Sequence, residues 1–438
     1  MAADSKHTGA LTSPGFVIPF ITVTALFFVF GFITNLNMAL VPQLRRVFTL
    51  PHGLAMLAES AFFLAYFVFA GPTGKLIEAI GYKKTMVVSL FIQVVGCLLF
   101  VPAAKMVNFP LFLTAVFVVG AGITALQTAA NPYVSILGPE STAPIRLTLA
   151  QALNSLGGTL APLVAGAFIL ADTGGPQSQA QVANMVRGPY IAIAAALLIL
   201  GLAVAFSRLP PVTSTQEFRP GKAGDELLKR SIWSYRHTVL GALGIFFYVG
   251  VEVGLASIAV DYFKAQGMSS LETASFLVSI YWFGALIGRL LGAGILTKVH
   301  SSKLVGTFGI AAALLIAVSM FTSGNVAIWS LVLCGFFNSI MFPNIFTLGI
   351  FGLGPMTSKG SGLIMTAVVG GAIIPWLIGE VADKIGRHYA TIHGLEFVPG
   401  GLADKIGIQG SFVIPVICYL YISFYGLWGS KPTRTVTT

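Results

Sequence analysis

Between residues 16 and 428 the chain runs again and again for some twenty residues with hardly a charge. An α-helix needs about 20 apolar residues to cross the hydrocarbon core of a bilayer, and only helices or closed barrels leave no backbone group unpaired in lipid. The runs fall at 16–43, 54–77, 84–104, 109–136, 147–171, 188–208, 236–263, 271–296, 303–323, 326–352, 360–383 and 409–428. All exceed the about 9–11 residues of a tilted membrane strand. They predict an all-α integral membrane protein with twelve transmembrane helices. Composition agrees: of 438 residues 56% are apolar and 9% charged, where a soluble domain has about 25% charged, and the mean hydropathy is +0.87.

The net charge of +10 is read as membrane orientation and headgroup contact, not as a nucleic-acid surface. With both termini cytoplasmic, 17 of the 25 Lys and Arg residues fall on the inner side, as the positive-inside rule requires. The expected location is a bacterial-type inner (plasma) membrane, and the expected state a monomer. The first 15 residues are polar and the following run is too long for the apolar core of a cleavable signal, so that segment is expected to stay in the membrane. Cys97, Cys334 and Cys418 sit inside apolar runs without CxxC spacing and read as small buried hydrophobes.

A long polar stretch, "RLPPVTSTQEFRPGKAGDELLKRSIWSYR" (208–236), divides the spans six and six. The implied organisation is an N-terminal tail 1–15, a six-helix bundle 16–208, a cytoplasmic linker 209–235, a second six-helix bundle 236–428 and a C-terminal tail 429–438. The halves repeat: "GGTLAPLVAG" from Gly157 and "GGAIIPWLIG" from Gly370 share GGxxxPxxxG at a constant offset of 213 residues. Small residues let helices approach, and each proline frees a carbonyl. Pro132, Pro162, Pro343 and Pro375 are the candidate kinks. Two parallel, pseudo-symmetric six-helix repeats describe the major facilitator architecture. The segment "GKLIEAIGYKK" fits the facilitator signature GxxxExxGxKK, in which Gly74 and Gly81 permit a tight turn, Glu78 caps or pairs at a helix end, and Lys83 and Lys84 face headgroups.

Polar side chains in lipid are costly and ask for a reason. The first half carries Asn35, Asn37, Gln127, Asn131, Gln151 and Asn154 in its spans, six amides and no acid. Gln127 and Asn131 are one helical turn apart and share a face. Amides donate and accept, as sugar hydroxyls do, so a neutral polyhydroxylated ligand suits them. The competing role is interhelical hydrogen bonding, worth only about 0.6 kcal/mol on average. In the second half Asn338 and Asn344 flank Pro343, and Tyr248, Tyr281, Trp282 and Trp376 offer flat faces for a sugar ring. Glu252 lies deep in the seventh span, where a carboxylate costs about 2.5–3.5 kcal/mol. Asp261 is placed at the interface, and Arg289 is expected to snorkel to the inner face.

"NLNxxLVPQL", "LQTAANPYVSILGPES", "LAQALNSLGG", "FNSIMFPNIFTLGI" and "VVGGAIIP" resemble the fucose–galactose–glucose proton symporters of the major facilitator superfamily over essentially all twelve spans. The resemblance implies a sugar transporter with Asn35, Asn37, Gln127, Asn131, Gln151 and Asn154 as sugar contacts, to which the residue pattern adds Tyr281, Asn338 and Asn344, with no cofactor and a proton gradient as the possible driving force. Gln127, where the L-fucose symporter carries Glu, points to the glucose/galactose members and to a hexose or its N-acetyl derivative. The chain departs from the family at Met38, which stands where the NLND motif has its proton-coupling Asp. Engineered substitution, natural loss of coupling and relocation of the proton site all account for that change, and Glu252 is the best relocated site.

The expected function is therefore sugar transport by alternating access, with a small-molecule sugar and the lipid bilayer as partners and no nucleic acid. An exporter of amphipathic solutes and a non-transporting sugar sensor are the alternatives. An enzyme is not expected, since HExxH, GxSxG and metal-spaced histidines are absent from the sequence. "GEVADKIGRHYATIHGLEFVPGGLADKIGIQGS" (379–411), in which VADKIG returns as LADKIG, reads as an expanded outer loop.

Overall fold

The computed structural model describes residues 11–12, 14–48, 57–168, 185–210, 231–268, 271–398 and 400–432. Regular structure among them is helical throughout. The helices are α1 (Val17–Phe48), α2 (Leu57–Lys105), α3 (Phe109–Ile136), α4 (Ala143–Phe168), α5 (Arg187–Phe206), α6 (Arg236–Ala265), α7 (Leu271–Ile295), α8 (Ser301–Phe321), α9 (Asn325–Asn338), α10 (Met341–Ile350), α11 (Thr357–Thr366), α12 (Gly370–His393), α13 (Leu402–Ser411) and α14 (Val413–Phe424). Among the described residues ten stretches are long and apolar enough to cross a membrane. One of them, 60–105, holds two passes, and α4 supplies the fifth span of the sequence reading. The twelve-span reading survives with changed boundaries. The linker falls mostly on 211–230, outside the described residues.

The second and third spans meet at Gly81, whose φ of 81° and ψ of 166° turn the chain inside α2. A side chain there would clash with its own backbone, so glycine is required. Lys83, expected at headgroups, instead donates from Nζ to the Ser207 carbonyl at 2.7 Å and so caps the end of α5. Arg146, one of the basic residues assigned to the inner side by the twelve-span reading, is fully buried. It donates to the carbonyls of Val134, Gly138, Pro139 and Leu11, and to Ser135, closing the α3–α4 turn.

Two prolines leave carbonyls unmatched, and side chains from other helices fill both. Pro132 cannot bond Thr128 O within α3, and Ser361 Oγ does so at 2.8 Å. Pro343 cannot bond Ser339 O, the tenth span breaks into α9 and α10 there, and Arg289 Nε takes that carbonyl at 3.1 Å. Lipid offers no water for this purpose, so neighbouring side chains are the remaining source of donors. Arg289 is accordingly buried, 6% exposed, and does not snorkel.

The repeat in sequence is a repeat in packing. A Cβ built on Gly157 would fall well inside van der Waals contact of the Phe28 carbonyl, and one on Gly370 inside that of Phe246. The α1–α4 and α6–α12 crossings are thus the same close contact made twice. Pro162 lies in α4, but its side chain is outside the described residues; Pro375 lies within α12 and packs against Gly254.

The stretch 379–411 is not a loop. α12 runs on to His393 and α13 begins at Leu402. Added Cβ atoms at Gly386 and Gly407 would meet the carbonyls of Ala403 and Ala382 respectively. VADKIG and LADKIG therefore pack as paired Ala-xxx-Gly faces of a helical hairpin. Of the Asp and Lys residues that read as loop, Asp383 and Lys384 are exposed, while Asp404 accepts from the Gly400 N–H at 2.7 Å and Lys405 donates to Ser323 Oγ at 2.9 Å.

The described residues form two compact units. One combines Gly9–Ser234 with Ile350–Ala367; the other combines Tyr235–Gly349 with Val368–Thr433. Helix α11, from the second half of the sequence, therefore packs in the first unit, against α2 and α3.

Candidate functional site

In the first unit the amides divide into two groups. Asn35 and Asn154 lie at the α1–α4 crossing: Asn35 Nδ2 donates to Gly31 O at 2.9 Å, and Asn154 Nδ2 reaches Phe27 O at 3.4 Å. Gly158 faces the Asn35 amide, and a Cβ there would fall on it. One residue earlier, Thr34 Oγ1 is buried without a hydrogen-bond partner. Gln127 and Asn131 lie on α3. Gln127 Nε2 donates to Tyr66 OH at 2.8 Å, and Asn131 Nδ2 contacts Met365 Sδ of α11 at 3.5 Å, leaving its Oδ1 buried and unpartnered. Gln151 is buried, 4% exposed, on α4. The side chains of Asn37 and Met38 lie outside the described residues.

Tyr66 is a site residue that the sequence reading missed. It is 2% exposed and packs between Phe62 and Phe63, so its hydroxyl has Gln127 as the polar group beside it. A lone tyrosine inside "FFLAYFVFAG" was the available signal, since a phenol buried in lipid needs a partner.

The signature segment joins α2 to the start of α11. Glu78 Oε1 accepts from Ser358 Oγ at 3.0 Å and lies 3.9 Å from Lys359 Nζ, beside the N-terminal turn of α11, where a carboxylate also meets the helix dipole. Gly74 gives α11 its close approach, since a Cβ there would crowd the Ser358 carbonyl. Glu140 accepts from the Gly352 N–H at 3.1 Å just before α11. Lys84 is exposed.

In the second unit a continuous polar network crosses four helices. Glu252, at the middle of α6, accepts from Tyr248 OH at 2.7 Å and lies 3.9 Å from the Arg289 guanidinium on α7. Tyr281 OH approaches Glu252 O at 3.5 Å and accepts from Asn338 Nδ2 at 2.7 Å. Tyr419 OH of α14 donates to Asn338 Oδ1 at 2.8 Å and accepts from Cys334 Sγ at 3.2 Å. Asn344 is apart from this network: its Nδ2 turns back to Ile340 O at 2.6 Å and its Oδ1 has no partner. Trp376 is 64% exposed and Asp261 is exposed, so neither joins the buried groups. Among the described residues no cluster of His, Cys, Asp or Glu could hold a metal ion.

The candidate site residues are thus amides with no acid among them in one unit, and a single carboxylate beside Arg289 in a tyrosine and asparagine network in the other. That arrangement sits in a fold with known relatives. The model of the Major Facilitator Superfamily matches residues 22–375. The chain is 41% identical over 428 residues to a glucose/galactose transporter of Brucella abortus biovar 1 (strain 9-941), covering 97% of both chains. The chain belongs to the Major Facilitator Superfamily. Within this superfamily it is also 33% identical to the L-fucose-proton symporter of Escherichia coli (strain K12), over 96% of this chain and 94% of that one. The crystal structure of the E. coli fucose:proton symporter, FucP, superposes with a TM-score of 0.78 at 29% identity, covering 94% of this chain and 98% of that one. As a Major Facilitator Superfamily member the chain is a multi-pass membrane transporter and not an enzyme.

Proposed function

We propose that the chain carries a neutral hexose of the glucose or galactose type, or its N-acetyl derivative, across a bacterial plasma membrane by alternating access. The observation that carries the reading is the end-to-end similarity to a glucose/galactose transporter, 41% over 97% of both chains. The chemistry of the first unit supports it. Asn35, Gln127, Asn131, Gln151 and Asn154 supply donors and acceptors without a fixed charge, which suits hydroxyls and disfavours ions. Asn37 belongs to the same set by sequence, and Tyr281, Asn338 and Asn344 are the corresponding contacts offered by the second unit. Both termini are placed in the cytoplasm on the distribution of basic residues, and a single chain supplies both bundles, so a monomer suffices. Undocking of α11 from α2 and α3 is the step we assign to opening that end of the first unit.

Counterflow tests the reading without any assumption about a driving ion. Proteoliposomes preloaded with unlabelled D-glucose are expected to accumulate labelled D-glucose transiently, and external D-galactose is expected to compete. Equal counts in loaded and empty vesicles would overturn hexose transport. Uptake of an amphipathic dye under the same conditions would then favour an exporter.

A further inference from the structure

We infer that Glu252 is the group that binds and releases a transported proton, and that Tyr248 and Arg289 position it. The inference rests on the sugar-transport reading and adds to it the place where the driving ion is held. It starts from the sequence: Glu252 is the one acidic residue set deep in a span, with valines on either side, and its side chain is 13% exposed. Such a carboxylate is costly in lipid and marks an ion or proton path unless it serves packing.

The geometry argues against a packing role. Arg–carboxylate pairs are frequently bidentate, with charge-assisted contacts of about 2.7–2.9 Å. Here the single approach is 3.9 Å. Arg289 is held elsewhere, because its Nε fills the Ser339 carbonyl that Pro343 leaves free. The guanidinium therefore stays in place whether or not Glu252 carries charge. Tyr248 OH, at 2.7 Å from Oε1, leaves the second carboxylate oxygen to receive a proton.

Among the described residues of its own unit, few titratable or charged groups face Glu252. Its own helix contributes Tyr248, and α7 contributes Tyr281 and Arg289. Helices α9 and α14 contribute Cys334 and Tyr419, both reached through Asn338. The face of α12 against α6 is built from Gly370, Ile374 and Pro375, all uncharged. The repeat supplies an independent observation. Phe28 and Phe246 make the same contact with Gly157 and Gly370. Six residues beyond them stand Thr34 and Glu252, so the carboxylate occupies the position equivalent to the residue just before Asn35. By the same offset Met38 corresponds to Ala256, one helical turn beyond Glu252 on α6, so the carboxylate lies one turn from the repeat equivalent of Met38.

The step balances simply. One proton leaves hydronium on the side from which the site is reached and adds to a carboxylate oxygen of Glu252, giving the neutral acid. Arg289 keeps its charge, so the site gains one positive charge. On the other side the proton returns to water and the carboxylate is restored.

The test uses proteoliposomes with labelled D-glucose, read both as gradient-driven accumulation and as counterflow. Wild type is expected to accumulate sugar beyond equilibrium under an inward proton gradient, and a protonophore should abolish this. Glu252→Gln is expected to fall to the equilibrium level, with Glu252→Asp restoring part of the accumulation. Arg289→Lys should keep accumulation, while Arg289→Gln should displace its pH profile. Accumulation by Glu252→Gln equal to wild type would overturn the assignment, as would wild-type net uptake that stops at equilibrium whatever the proton gradient. Absence of wild-type counterflow would overturn the sugar reading and this inference with it. Where Glu252→Gln does not insert, Glu252→Asp and Tyr248→Phe decide: each should move the pH of half-maximal uptake, and an unmoved midpoint in both would refute the role.

Discussion

Gly157 and Gly370 each set a close helix crossing within its own half. An alanine at either would drive its Cβ into a backbone carbonyl of the facing helix, Phe28 or Phe246, which cannot rotate away as a side chain can. Overpacking of this kind costs about 1–3 kcal/mol. Gly157→Ala and Gly370→Ala are therefore both expected to lower the melting temperature in detergent. Gly379→Ala is expected to hold or raise it, adding up to about 1 kcal/mol of stability, since nothing lies within 4 Å of that position. The motif GGxxxPxxxG was legible in the sequence, but not which of its glycines matters, because that depends on the facing helix. The same blindness explains Lys83 and Arg289. Lys83 read as facing headgroups and Arg289 as snorkelling, yet each is held by a backbone carbonyl, one at a helix end and one freed by a proline. Tyr66 was missed because its polar partner, Gln127, lies 61 residues away.

At the scale of elements, periodicity and length located the spans, and charge misled at one place. Asp383, Lys384, Asp404 and Lys405 made 379–411 look like a polar loop, whereas α12 and α13 continue as helices beyond the apolar run. The duplicated Ala-xxx-Gly faces hold them together. Gly407→Val should separate this hairpin, since the added side chain would strike the Ala382 carbonyl and the Gly386 backbone. Faster proteolysis within 394–401 is the expected readout. Cleavage at the wild-type rate would show that the small-residue faces are not what closes it. Helix α10 teaches a related lesson. Pro343 was readable as a break, but its consequence, a carbonyl that fixes Arg289 close to Glu252, needed the fold.

For the whole molecule, the sequence divides at the linker into equal halves, while packing assigns Ile350–Ala367 to the first unit. No local signal marks that transfer, because the contacts that make it are polar and far apart in the chain. Helix α11 is held by Glu78 on Ser358 and Lys359, Glu140 on the Gly352 N–H and Ser361 on the Thr128 carbonyl. The Glu78–Lys359 pair is part-exposed, with side chains 31% and 36% accessible, and pairs of that kind contribute about 0.2–1 kcal/mol. Several weak contacts suit the release of α11 that the proposed cycle requires, since a single strong one would trap it. Removing two of them should then shift α11 toward release without unfolding the bundle. On a background with Cys97, Cys334 and Cys418 replaced by alanine, a cysteine at Ser361, buried in the docked helix, reports this. Glu78→Gln combined with Glu140→Gln is expected to speed its maleimide labelling by about tenfold, equivalent to about 1.4 kcal/mol of lost docking. Labelling at the parent rate, with the melting temperature unchanged, would mean that the apolar packing around Gly74 and Gly362 holds α11 instead.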